Sequence, residues 1–324
     1  MNDRPNILVA VDLSLCIDAL DPLRKVGNVH YIQAPDATNV GAAISSCDAY
    51  MGHTDVQVTE LLLASAPRVR VVCTCSTGTD HIDLDALQRR AIDLVSLTTE
   101  YALLERFTAT AEMAWTLLQA CRRNLPRLQR HAVEGHIGLP SDLTLPVQLS
   151  QSTLGVVGYG RLGRMVTEYG KAFRMRVLVC DPHKPVQTPG VEHVDFDTLL
   201  AESDFVSLHV HLRPDTHQMI NRKTIEKMKS GVTIINVSRG DLVCEEALLE
   251  ALIGGKVAAA GLDVVHDEWD SNLADRPLLV YARTHDNLIL TPHAGGASLA
   301  GVTEARRFIA GKLAAYLSQR NGTL

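Results

Sequence analysis

"LGVVGYGRLG", residues 154–163, decides the fold of this 324-residue chain. The apolar run from Leu154 to Val157 leads into Gly158, Gly160 and Gly163, and a helix-like segment follows. In such a turn the first glycine permits the tight bend, the second lets the backbone approach a pyrophosphate, and the third lets the helix pack closely on the strand. The N–H groups of the new helix then face the phosphates. Taken alone, this spacing is a weak signal. Its context is right, because the next apolar run, Val177 to Cys180, ends at Asp181, about 20 residues on, where a carboxylate can accept ribose hydroxyls. A carboxylate there also repels a 2′-phosphate, so the turn is expected to take NAD rather than NADP. His183 and Lys184, just beyond, read either as counter-evidence that softens this preference or as a solvated loop.

Outward from this turn the chain reads as two α/β layers. Apolar runs at Leu154 to Val157, Val177 to Cys180, Phe205 to Val210, Val232 to Val237, Ala258 to Val264 and Leu288 to Thr291 alternate with helical segments that stop at Gly231 and at Gly254–Gly255. The first hundred residues alternate likewise, with strands at Ile7 to Val11, His30 to Gln33, Ala49 to Gly52, Val69 to Thr74 and Asp93 to Ser96, and helices at Val56 to Ala66 and Asp83 to Arg90. A helix spaced by Ala114, Leu117, Leu118 and Cys121 is expected to run until Pro126 stops it, and Val133 to Ser152 reads as a loop or arm. A last helix, Ser298 to Leu317, is expected to return to the first layer. The fold class is therefore α/β, with two Rossmann-like or flavodoxin-like parallel-sheet domains and a cleft between them.

Composition excludes several roles. With 31 basic against 37 acidic residues and a net charge of −6, nucleic acid and anionic membrane are not expected partners. The N-terminal MNDRP lacks the pattern of a signal peptide, and no apolar run reaches the roughly 18 residues of a membrane span. Seven cysteines, an odd number, with Cys73 and Cys75 as C-x-C, fit reduced, buried thiols and a cytoplasmic location. No metal site is read.

The chemistry is expected where the strands end. In an open parallel sheet, ligands bind outside the carboxyl ends, which here carry Gly158, Asp181, His209, Ser238–Arg239, Asp263 and His293. A permanently charged guanidinium at the mouth of the buried strand in VTIINVSRGD needs an anion to meet it. Glu268 follows Asp263 in GLDVVHDEW, and His293 lies in LTPHAGG. Singly, Arg239 reads equally well as a local salt bridge, Glu268 as part of an acidic loop, and His293 as a turn residue. Together they suit carbonyl reduction. The arginine fork takes a carboxylate and its neighbouring carbonyl oxygen, the histidine donates a proton, and a glutamate partner raises the histidine pKa above about 6.5.

GYGRLG with Asp181, HVHLRPDT, NVSRG, GLDVVHDEW and TPHAGG, in this order and spacing, resemble the D-isomer-specific 2-hydroxyacid dehydrogenase family over nearly the whole chain. The resemblance implies an NAD-dependent oxidoreductase that interconverts a small 2-oxo acid and its D-2-hydroxy acid. It implies Arg239 as substrate anchor, His293 as acid/base and Glu268 as its partner, with Asp263 on the nicotinamide amide. The implied cofactor contacts are Gly158, Gly160, Arg161, Leu162, Gly163, Asp181, His209, Val237, Ser238, Asp263, Gly295 and Gly296. CSTGTDHID matches the loop whose N–H groups hold the substrate carboxylate, which maps to Ser76, Thr77 and Gly78. The resemblance further implies that residues 1–99 with 295–324 form a flavodoxin-like substrate-binding domain and 100–294 the NAD-binding Rossmann domain, and that the crossover helix supports a homodimer.

Departures bear on the substrate. His53 in DAYMGHT stands where similar 3-phosphoglycerate dehydrogenases carry an arginine near the substrate phosphate, so an unphosphorylated substrate is expected. Ser76 replaces a glycine, His211 a proline, and Trp269 the proline after Glu268; Trp269 reads as packing or as a pocket wall. LTTEYALLERFTATAE resembles a subgroup called phosphoglycerate dehydrogenase-like. A competing reading is an NADH-sensing, corepressor-like binding protein with little turnover. A formate- or phosphite-oxidising relative is disfavoured, because formate enzymes pair the histidine with glutamine where this chain has Glu268.

Overall fold

The computed structural model describes residues 4–54, 56–270 and 272–321. The chain forms two compact units, one running to Phe107 and resuming at Ser298, the other spanning Thr108–Ala297.

In the first unit the strands are β1 (Asn6–Ala10), β2 (Asn28–Ile32), β3 (Ala49–Gly52), β4 (Val71–Thr74) and β5 (Asp93–Val95). All neighbours are parallel, in the order β2-β1-β3-β4-β5, the flavodoxin-like winding. Parallel strands are covered on both faces and so read as continuous apolar runs. Ile7, Val9, Met51 and Val71 meet Ile309 and Leu313 of the last helix, Leu299–Asn321, while Leu8, Tyr50 and Val72 meet Val40, Ile44 and Leu63 on the other face. Side chains of Asp36, Thr59 and Asp83 accept backbone N–H groups at helix starts, which fixes where each crossover turns into helix.

The second unit contains β6 (Thr153–Val157), β7 (Arg176–Cys180), β8 (Val191–His193), β9 (Phe205–Leu208), β10 (Val232–Asn236), β11 (Val257–Leu262) and β12 (Leu288–Leu290). The order β12-β11-β10-β9-β6-β7-β8 is parallel throughout. The winding reverses at β6, whose neighbours are β7 and β9. That is the switch point where ligands of doubly wound sheets bind.

Two expectations are corrected, and one strand went unread. The helix Ala109–Arg122 ends short of Pro126, Asn124 turns left-handed (φ 50°), and Pro126 lies in the first turn of a second helix, Leu125–Val133. Proline is tolerated there because first-turn N–H groups have no intrahelical partner. Strand β8 was not legible because it is a short edge strand with exposed Glu192 and His193. Cys16, Cys47, Cys73, Cys75 and Cys121 are buried, but Cys180 and Cys244 are half-exposed. Among the described residues no helix is long and apolar enough to cross a membrane.

Candidate active site

The three glycines of the turn differ in what the fold asks of them. Gly158 has φ 94°, and a Cβ on it would fall 2.5 Å from the His209 carbonyl oxygen. A Cβ on Gly163 would fall 2.0 Å from the Gly158 carbonyl oxygen. Both therefore serve the fold itself. Gly160 differs, because a Cβ there meets nothing within 4 Å. The protein does not need that glycine for its own packing, which is what a backbone left clear for a ligand looks like. Gly160 also begins the helix Arg161–Ala172 and supplies no side-chain cap to it, so the start of the helix faces outward with its backbone.

Asp181 follows β7. Its Oδ2 accepts the Tyr159 N–H at 2.8 Å, and its Oδ1 accepts those of His183 and Lys184 at 2.8 and 3.1 Å. Burial pushes its carboxyl up, but these three N–H groups and the Lys184 charge outweigh burial and hold it below the usual carboxylate range. Beside it, Tyr159, Arg164, Lys184 and Thr188 line an open depression.

At the end of β10, Asn236 is buried and ties the exit together. Its Nδ2 donates to the Arg239 carbonyl at 2.8 Å and its Oδ1 accepts the Ser238 N–H at 3.0 Å. Ser238 Oγ donates to the Leu208 carbonyl at 2.7 Å, and Val237 is buried beneath. Arg239 donates from Nη1 to the Ser238 carbonyl at 2.7 Å.

Asp263, 1% exposed, organises the turn after β12. Its Oδ1 accepts Thr291 Oγ1 at 2.5 Å and Ala294 N at 2.9 Å, and its Oδ2 accepts Gly295 N at 2.7 Å. Gly296 follows, where a Cβ would reach Thr110 Oγ1 at 4.0 Å, an ordinary contact. This turn holds His293 at φ 51°, with Nδ1 2.5 Å from Glu268 Oε1. The Glu268 hydrogen bond raises the His293 pKa; burial and Arg239 oppose it, while the charges of Glu268 and Asp263 add to it. His209, at the end of β9, goes the other way. Burial pushes its pKa down to about 4, and Nε2 lies 2.8 Å from Ser207 Oγ. Two histidines at strand ends of one sheet are thus shifted in opposite directions, the Glu268 hydrogen bond favouring the charged form of His293 and burial the neutral form of His209.

In the first unit, His53 and the Ser76–Gly78 loop follow paired strands β3 and β4. Ser76 Oγ donates to the Gly78 carbonyl at 2.6 Å and lies 2.9 Å from Thr74 Oγ1, which lies 3.1 Å from His81 Nε2. Thr98 Oγ1 donates to the Thr77 carbonyl at 3.0 Å. The Ser76 hydroxyl proton is therefore spent within the loop, while His53 Nδ1 lies 3.0 Å from Thr54 Oγ1. Trp269 is 60% exposed, which removes packing as its role within its own unit. Sequence reading missed Asn236, Thr291, Thr74 and His81; a polar residue closing an apolar run, as in TIIN and VVCT, was the available signal.

The profile described as "D-isomer specific 2-hydroxyacid dehydrogenase, NAD binding domain" matches residues 115–295. The chain belongs to this family. The dehydrogenase is 35% identical over 264 residues to a hydroxypyruvate reductase of Thermotoga maritima, covering 82% of this chain and 81% of the relative. It is 33% identical over 299 residues to a D-3-phosphoglycerate dehydrogenase of Mycobacterium leprae, covering 91% of this chain but only 54% of that one, so the chain spans about half that relative's length. Among solved structures, a D-lactate dehydrogenase from Aquifex aeolicus complexed with NAD and lactic acid matches with TM-score 0.85 and 28% identity, covering 98% and 96% of the two chains. The dehydrogenase's cofactor is NAD.

Proposed function

We propose that the chain interconverts small, unphosphorylated 2-oxo acids and D-2-hydroxy acids, with His293 as acid/base, Glu268 as its partner and Arg239 as substrate anchor. The observation that carries this reading is the 2.5 Å contact between His293 Nδ1 and Glu268 Oε1 beside the Arg239 strand exit. Bound NADH supplies the hydride that reduces the carbonyl carbon. With Nδ1 committed to Glu268, His293 holds its transferable proton on Nε2 and gives it to the carbonyl oxygen. Arg239 holds the substrate carboxylate and polarises the same oxygen. In the first unit, the N–H groups of Thr77 and Gly78 take the carboxylate, and Ser76 orders their loop. Asp181 holds the ribose, Gly158–Gly163 the pyrophosphate, and His209, Val237, Ser238, Asp263, Gly295 and Gly296 the nicotinamide end.

An unphosphorylated substrate is supported by His53 at the position discussed above and by the hydroxypyruvate reductase that matches across most of its length. Homodimerisation is supported by Val133, Ile137, Leu139, Leu145 and Val147, which are 53–95% exposed along one arm; sedimentation of the intact protein tests it. A spectrophotometric screen of glyoxylate, hydroxypyruvate, pyruvate and branched or aromatic 2-oxo acids with NADH tests the activity. Turnover of at least one supports the reading. Tight NADH binding with turnover of none supports the corepressor-like alternative instead.

A further inference from the structure

The Glu268–His293 contact is held by two residues with an unusual backbone. His293 has φ 51° and Asp267, immediately before Glu268, has φ 46°. Non-glycine residues stay in this region only where the surroundings over-determine them. For His293 the surroundings are the Asp263 turn described above. For Asp267 they begin at His266, one residue earlier. The His266 N–H donates to Glu245 Oε1 at 2.8 Å, and Glu245 Oε2 accepts Arg276 Nη2 at 3.0 Å. Arg276 Nη1 donates to the His266 carbonyl, and His266 Nδ1 contacts Asp241. Glu245 and Arg276 are mostly buried, with side chains 15% and 20% exposed. A Cβ on Gly240 would fall 2.0 Å from the Val265 carbonyl carbon. The segment that carries Arg239 and the loop that carries Glu268 are therefore in backbone contact.

We infer that Glu245 and Arg276 are positioning residues for the reaction, forming a clamp that fixes the Glu268 loop on the Arg239 segment and so sets the proton affinity of His293. The inference rests on the reading of His293 as acid. Glu245 accepts one N–H of the loop and orients Arg276, which holds the carbonyl of the same peptide segment. Both handles of His266 are thereby fixed, and the following turn at Asp267 aims Glu268. Charged groups facing His293 are Glu268, Arg239 and Asp263; those facing the clamp are Asp241 and His266. Neither clamp residue faces His293 itself, so any effect on its proton passes through the position of Glu268.

The test is the pH dependence of kcat/KM for glyoxylate reduction by NADH, measured on the full chain and on Glu245→Gln, Arg276→Lys, Arg276→Met and Glu268→Gln. Loss of the nearby carboxylate in Glu268→Gln moves the high-pH fall of the rate to lower pH. The clamp variants are expected to move it the same way by about 0.5 unit or more, part of the roughly one to three units that an adjacent opposite charge is worth. Arg276→Lys, which keeps the charge but not the fork, should fall between the parent and Arg276→Met. NADH binding, read by fluorescence, reports that each variant is folded; Glu245→Gln is near-isosteric and serves if Arg276→Met does not fold. Clamp variants that bind NADH normally and lose thermal stability with an unmoved pH profile overturn the inference while Glu268→Gln still shifts. If Glu268→Gln itself leaves the profile unmoved, the His293–Glu268 pairing fails and the clamp's role fails with it.

Discussion

Replacing Asp181 by alanine tests how the site chooses its cofactor. A carboxylate offers about four acceptor positions. Three are taken by the N–H groups of Tyr159, His183 and Lys184, two of them on Oδ1. One place remains, on Oδ2, so the carboxylate can accept one ribose hydroxyl. Hydrogen bonds to a charged group contribute about 1.5–3 kcal/mol, so Asp181→Ala should lower kcat/KM for NADH by roughly one to two orders of magnitude. With NADPH the same carboxylate meets a 2′-phosphate. At about 5 Å and an effective dielectric constant of about 20, the repulsion is about 3 kcal/mol per unit charge. Lys184 and Arg164 line the adjacent depression and offset part of it. The parent enzyme should therefore prefer NADH by on the order of 10² or more, and alanine should bring the two cofactors within about tenfold. Because the Asp181 carboxyl is held below its usual range and a phosphate monoester loses its second proton at about pH 6, the preference should not change between about pH 7.5 and 9. Initial rates with both cofactors at saturating glyoxylate measure the ratio. Equal use of NADH and NADPH by the parent, or an unchanged ratio in the alanine variant, would refute the reasoning.

Arg239→Lys keeps the charge and loses the planar fork, so KM for the 2-oxo acid should rise and kcat fall while NADH affinity holds; steady-state kinetics with both substrates varied decides it. His293→Gln should lose mainly kcat, on the order of 10² to 10⁴, with KM little changed. 3-Phosphohydroxypyruvate should be a poorer substrate than the unphosphorylated acids; a tenfold advantage for it would move the phosphate site to some basic residue other than His53. Ser76→Ala frees the Gly78 carbonyl and loosens the loop, which should raise KM for the 2-oxo acid without changing KM for NADH, and an unaltered KM would return Ser76 to a passive role.

The positions of Asp181, Arg239 and His293 were legible because a buried parallel strand leaves a distinct trace, an apolar run closed by a polar residue, and because strands of one parallel sheet all end on the same side. The residues that hold those side chains left no such trace. Glu245 reads as an ordinary first-turn acid, favourable at a helix start, and Arg276 as one more surface cation before a proline. Their pairing spans 31 positions. Only the register explains it: Asn236 at the end of β10 lies opposite Leu262 at the end of β11, so the segments leaving those strands run side by side. Neither strand's own residues announce its neighbour. Ser76 is the complementary case, since a hydroxyl in a ligand loop suggests a contact to the ligand, and here the Gly78 carbonyl two residues away takes its proton. Likewise Pro126 punctuates the sequence strongly, but proline both ends helices and starts them. Here it lies in the first turn of a new helix, which begins at Leu125 after Asn124 has turned left-handed. Chemistry-bearing side chains are therefore readable one strand at a time, whereas the parts that set their proton affinities depend on which strands are neighbours, and that information enters only with the sheet.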